Sequence, residues 1–159
     1  MEKDMAPEKT PLEKWAEYGW LKAESTSPQE IGDLLSIVKR DLADAEVEAI
    51  SDDRRFEAAF SAARTTANIA LRACGYRTTT QPGHHQKTIE SLELTIQAEA
   101  SLIQKLRVLS RKRNATSYDS AGNISQQELD EVIHVAHQLQ RSVLLWLGNH
   151  HAELLISPA

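Results

Sequence analysis

The stretch "FEAAFSAARTTANIALRACG", Phe56 to Gly75, decides the fold. Phe56, Ala59, Phe60, Ala63, Ala67, Ala70, Leu71 and Cys74 recur at steps of three and four, the period of a helix, and the run stops at Gly75. A stripe built mostly from alanine lets neighbouring backbones come close, which places this helix at the centre of a bundle. Ser51, Asp52 and Asp53 stand just upstream and cap it.

Working outward, "SPQE" predicts another helix start, with Ser27 as N-cap, Pro28 in the first position and Glu30 closing a capping box. Ile31, Leu34, Leu35, Val38, Leu42, Ala45 and Ala49 then form one apolar stripe. Downstream, "GYRTTTQPGHH" is polar, β-branched and broken by Pro82 and Gly83, so it reads as a loop, followed by a shorter helix around Thr88 to Leu94. The stripe resumes at Leu102, Leu106 and Leu109, and one further step lands on Arg113. "SAGNIS" breaks the chain before a capping box of Ser125 with Glu128, which opens a stripe from Leu129 to Leu147. No strand pattern is visible. The expectation is an all-α fold: an antiparallel bundle of four main helices plus short extra helices over residues 27–150, with an N-terminal arm at 1–26 and a tail at 151–159. In the arm, "LEKWAEYGWL" offers two tryptophans and Tyr18 for packing onto the body.

Cys74 is the single cysteine of the 159 residues, so no intrachain disulfide forms and a cysteine-based zinc site lacks its ligands. The longest purely apolar run, Val143 to Leu147, is far short of a membrane span, and a soluble cytoplasmic protein is expected. No phosphate-binding P-loop, glycine-rich dinucleotide turn, nucleophile elbow or H-E-x-x-H motif is present, and no cofactor or metal is expected. The net charge of −5 is unevenly spread: residues 1–57 carry −7, residues 58–113 carry +6 and residues 114–159 carry −4. Between Ala58 and Ile89 there is no acidic side chain, whereas Arg64, Arg72, Arg77 and Lys87 fall there. The middle of the chain is where an anionic ligand should be sought.

Arg113 occupies a core position of its stripe, so its guanidinium must find an acid, backbone carbonyls or an anion in a cleft. The plainer alternative is a structural ion pair or a solvent-facing helix end. Asn114 and Tyr118 share a helix face, the first able to bond a phosphate, ribose or base edge and the second to stack or donate; alternatively Asn114 or Asp119 caps the helix end. Arg111, Lys112 and Arg77 supply the surrounding field. His84 and His85 follow "QPG" at an expected helix N-terminus, where backbone N–H groups favour an anion and the dipole favours neutral imidazoles, or where they simply cap and pack the loop. Glu131, His134 and His137 have the spacing of a metal-ligating face, but no matching second contribution is found, so solvated or half-buried histidines are expected.

"FEAAFSAARTTANIALRACGYRTTTQPGHHQKTIESLELT", followed by the basic residues around Arg111 and by "RNATSYD", resembles the HEPN family, the "higher eukaryotes and prokaryotes nucleotide-binding" domains, over roughly Ser27 to His150. The resemblance implies an all-α bundle that pairs into a homodimer with the arginine motifs facing a shared cleft. Many members of that family are metal-independent ribonucleases with an R-x(4–6)-H motif. Arg113 matches the arginine and Asn114 its frequent polar successor, but positions 118, 119 and 120 hold Tyr118, Asp119 and Ser120 instead of the histidine. Other members are partnered with small nucleotidyltransferases in toxin–antitoxin pairs, in which a tyrosine near the motif is adenylylated; Tyr118 is near that position. The resemblance thus implies a nucleotide- or RNA-phosphate-binding module without turnover, contacted by Arg113, Asn114, Tyr118, Asp119, Arg111, Lys112, Arg77, His84 and His85. One alternative is a ribonuclease with an altered motif, using Arg113 and Tyr118 as catalytic groups, and another is a non-catalytic protein–protein adaptor.

Overall fold

A computed structural model of the chain describes residues 7–118 and 124–156, with backbone alone for 115–118. In chain order the elements are α1 (Pro11–Glu17), β1 (Leu21–Ala23), α2 (Pro28–Ala45), α3 (Asp52–Ala73), β2 (Tyr76–Thr78), α4 (His84–Glu90), α5 (Leu92–Thr95), α6 (Ala100–Tyr118), α7 (Gln126–His150) and a 3-10 turn at Ala152–Leu155. The fold is all-α, built on the four long helices α2, α3, α6 and α7, as expected from the sequence.

Contacts along the helices fix their directions. Arg55 near the start of α3 donates to the Ala45 carbonyl at the end of α2, and Arg72 near the end of α3 reaches Glu30 at the start of α2, so the two are antiparallel. At the far end of α6, Arg113 meets Glu57 and Lys112 faces Glu128, which makes α6 antiparallel to both α3 and α7. Helices α3 and α7 therefore run in the same direction, and they pack extensively on each other. Alanine explains this: Ala59, Ala63, Ala67 and Ala70 are all buried and leave room for α7 to come across. Phe56, Phe60, Ile31, Val38, Leu106, Leu129, Leu139 and Leu147 fill the core around them. Each such side chain contributes roughly 1.5–3 kcal/mol on burial.

The caps follow the sequence with one departure. Ser51 accepts from the Arg54 N–H, and Ser125 with Glu128 forms the full reciprocal box. Ser27 likewise accepts from the Glu30 N–H, but the Glu30 carboxylate does not close a box with it. That carboxylate turns instead to the Thr26 hydroxyl and to Arg72, which together hold it below its usual pKa, the hydroxyl foremost. Arg72, only 5% exposed, also donates to the Glu24, Ser25 and Tyr76 carbonyls. Two donors, one of them the charged guanidinium, outweigh the single backbone N–H that a closed box would supply.

The absence of strands is corrected by a short antiparallel ladder that pairs Leu21 with Thr78, Lys22 with Arg77 and Ala23 with Tyr76. Three residues are too few for an alternating pattern to be read, although Tyr76 and Thr78 suit a strand. Through this ladder the segment before α2 is fastened to the turn that leads into α4. Thr79 adds a hydroxyl donation of 2.9 Å to the Gly19 carbonyl, and Lys87 of α4 lies 3.7 Å over the Trp20 ring and 5.1 Å over that of Trp15. Where one short helix was expected around Thr88 to Leu94, two successive ones form, α4 and α5. Helix α2 ends before Ala49, which is exposed, and in α6 the buried stripe is Ile103, Leu106 and Leu109, with Leu102 half-buried.

Candidate functional site

Folding brings acids from both ends of the chain onto its basic middle. Arg72 pairs with Glu24 and Glu30, Arg77 with Glu24, Lys105 with Glu131, Lys112 with Glu128, and Arg113 with Glu57, while Lys87 and Arg107 pair with Glu90 of the middle segment itself. The positive segment seen in the sequence is thus largely compensated within the molecule. Two cations of that segment, Arg64 and Arg111, form no ion pair or side-chain hydrogen bond with another described residue. Arg111 is exposed and hydrated, whereas Arg64 is half-buried. A half-buried guanidinium with no carboxylate in direct contact is an arrangement that a bound anion stabilises.

Arg64 sits midway along α3, about two turns beyond Glu57 and one turn before Asn68 on the same face, since positions 57, 64 and 68 differ by seven and four. It opens onto a cavity of ≈ 240 Å³. Helix α3 contributes Arg64, Thr65 and Asn68; α2 contributes Leu34 and Ile37; β2 adds Thr78; and α4 adds His84, His85 and Thr88. The Asn68 amide and the Thr65 and Thr78 hydroxyls make no hydrogen bond to another described residue, so their donor and acceptor capacity faces outward.

Gly83, in the left-handed region at φ +83°, lets the chain turn sharply from "QPG" into α4 and so presents both histidines to the cavity. His84 Nδ1 lies 3.1 Å from the Gln81 carbonyl oxygen, which can only accept, so Nδ1 is the nitrogen that donates there. The two imidazoles lie 4.0 Å apart, tilted against each other. Partial burial, then the Arg64, His84 and Arg113 charges, lowers the pKa of His85 below the ordinary imidazole value. Burial, then Arg113, also lowers that of Arg64, while Glu57 raises it. Arg64, Arg113 and His85 thus share one electrostatic neighbourhood, in which Glu57 acts on Arg64 in the opposite sense.

The residues singled out in the sequence fall into three groups. Arg113, His84 and His85 belong to this neighbourhood. The Arg113 guanidinium grips the Glu57 carboxylate through Nε and Nη2, both at 2.8 Å, with its Cζ 5.8 Å from the Phe60 ring centre. Lys112 and Arg77 are held by acids elsewhere, and Asn114 and Arg111 are exposed on α6. The Tyr118 side chain and Asp119 lie outside the described residues. The histidine face of α7 disperses: Glu131 pairs with Lys105, His137 lies 3.1 Å from Glu46 and His134 is exposed. Among the described residues no group of His, Cys, Asp and Glu is placed to hold a metal ion.

Arg64 and Asn68 were missed as site residues. The available signal was that Arg64 is the lone charge between Ala58 and Leu71, set in an otherwise small and apolar helix. Among the described residues no helix is long and apolar enough to cross a membrane. A family model described as "HEPN domain" matches residues 31–146 of the chain. No curated protein and no solved structure matches it.

Proposed function

The chain belongs to the HEPN domain family, and from that premise we propose that it binds a nucleotide or RNA phosphate at the Arg64 cavity. One observation carries the reading: a half-buried arginine, Arg64, that makes no ion pair or side-chain hydrogen bond with another described residue and opens onto a cavity beside a second arginine, Arg113. A phosphate at the rim would supply the close negative charge that the Arg64 guanidinium does not receive from another described residue, and Arg is the side chain best shaped to hold it. His84 and His85 line the same opening. Asn114 and Arg111, exposed on α6, extend the track along which a single strand would run, with Tyr118 and Asp119 following in the sequence. The module acts as a homodimer, alone or beside a small nucleotidyltransferase in a toxin–antitoxin or defence pair; membership of the family supports this part of the proposal.

A second reading, a metal-independent ribonuclease, draws support from His85. The motif histidine is absent after Arg113, but His85 shares the electrostatic neighbourhood of that arginine and is biased toward the neutral form that a general base requires. Binding without turnover is preferred because Arg113 is committed to Glu57.

Fluorescence anisotropy with a labelled single-stranded RNA, followed by electrophoresis of the same RNA, tests both. The expected result is salt-sensitive binding, at least about ten-fold weaker in Arg64→Ala, as loss of a charged hydrogen-bonding partner implies, with the RNA intact. Unchanged affinity in Arg64→Ala contradicts the binding reading. Cleavage by the unmodified chain that disappears in His85→Ala establishes the ribonuclease instead.

A further inference from the structure

The cavity holds more than a phosphate needs. Leu34 and Ile37 form an apolar wall, the imidazoles of His84 and His85 stand on α4, and the open Asn68 amide lies on α3 between the two helices. A phosphate makes no use of an apolar wall, whereas an unstacked nucleobase does. Bases splayed out of single strands lie on aromatic rings, histidine included, and are read through hydrogen bonds along their edges. The space of ≈ 240 Å³ is below the roughly 300–1,000 Å³ that encloses a whole drug-sized ligand, so it takes one portion of a nucleotide and leaves the rest at the rim.

We infer that the cavity is a nucleobase pocket, with the base seated between the Leu34 and Ile37 wall and the histidine rings, its edge bonded by the Asn68 amide and its phosphate directed to Arg64 at the mouth. This rests on the phosphate reading above and adds to it a part of the ligand and a residue that discriminates. Asn68 is partly exposed and its amide bonds no other described residue, so its identity is not demanded by the fold. An amide offers one acceptor and two donors, which suits a base edge and matches adenine in a paired, two-bond geometry. The lowered pKa of His85 accords with a neutral ring in contact with a neutral base.

The test is an NMR-monitored titration of the full chain with AMP and, separately, with ribose 5-phosphate, which carries the same sugar and phosphate without the base. AMP is expected to bind about ten-fold or more tightly than ribose 5-phosphate, in keeping with the worth of one stacked base. Asn68→Leu is expected to remove most of that advantage while leaving ribose 5-phosphate unchanged. Asn68→Asp, which trades the donor for a second acceptor at the same size, should reorder the affinities of AMP, CMP, GMP and UMP. Equal binding of AMP and ribose 5-phosphate by the unmodified chain, or an unchanged order in Asn68→Asp, overturns the base pocket and leaves the phosphate site standing. Failure of both probes to bind, or binding of both that ignores Arg64→Ala, overturns the phosphate site and the pocket with it.

Discussion

At the residue scale the contrast between Arg64 and Arg113 organises the site, because two guanidiniums in one neighbourhood share the Glu57 carboxylate. Glu57 therefore competes with any incoming phosphate while stabilising the folded chain. Glu57→Gln should bind single-stranded RNA more tightly than the unmodified protein and melt at a lower temperature; a variant that binds more weakly would show that Glu57 positions Arg113 for the ligand. His85 gives a pH dependence whose sign follows from its lowered pKa. Just below the unfolded histidine value of about 6.5, the unfolded chain takes up the proton first, so the contribution to stability is present above that pH and is lost as pH falls toward the folded value. A bound phosphate works in the opposite sense, favouring imidazolium, so RNA affinity should rise as the pH is lowered from about 7 to 6. Parallel titrations of the unmodified protein and His85→Gln check both statements. An equal pH dependence in the two proteins would remove His85 from the account.

At the element scale, much was legible from repeating patterns and little from isolated contacts. The α3 alanines announced a central helix because a small-residue stripe has a direct geometric consequence, and the serine caps announced three helix starts for the same reason. The β1–β2 ladder was illegible, since three-residue strands carry no period and their pairing spans the whole of α2 and α3. Arg72 was also illegible: its sequence neighbours do not foretell that Glu30 and three backbone carbonyls, from Glu24, Ser25 and Tyr76, converge on it. Those contacts tie the start of α2, the end of α3 and the flanks of the ladder together. Arg72→Met should lower the unfolding free energy by ~1–3 kcal/mol, as for buried acceptors left without their donor, measurable by urea denaturation. A loss below about 1 kcal/mol, the worth of an exposed pair, would contradict its role as an anchor.

For the whole molecule, the charge map read from the sequence was correct as a count and incomplete as a field. The +6 of residues 58–113 is mostly answered by acids from the flanking segments once the chain folds. Linear order could not disclose which cations would be left over, because pairing depends on which helix faces meet; of the two left without an ion pair among the described residues, Arg64 and Arg111, Arg64 is the half-buried one. The proposed homodimer belongs to this scale too. Light scattering at micromolar concentration should give twice the 17.8 kDa chain mass, and a clean monomer would confine the proposed site to one chain's own surface. The central claim, that Arg64 holds a phosphate, is tested most directly by the salt dependence of RNA binding in the unmodified protein and in Arg64→Ala. Each phosphate neutralised on a single strand contributes about −0.7 to the slope of log K against log salt. The account predicts a slope shallower by about that amount in Arg64→Ala, together with weaker binding at every salt concentration. Parallel lines of equal slope would contradict it, since they would mean that no ion pair with RNA phosphate is lost with the arginine.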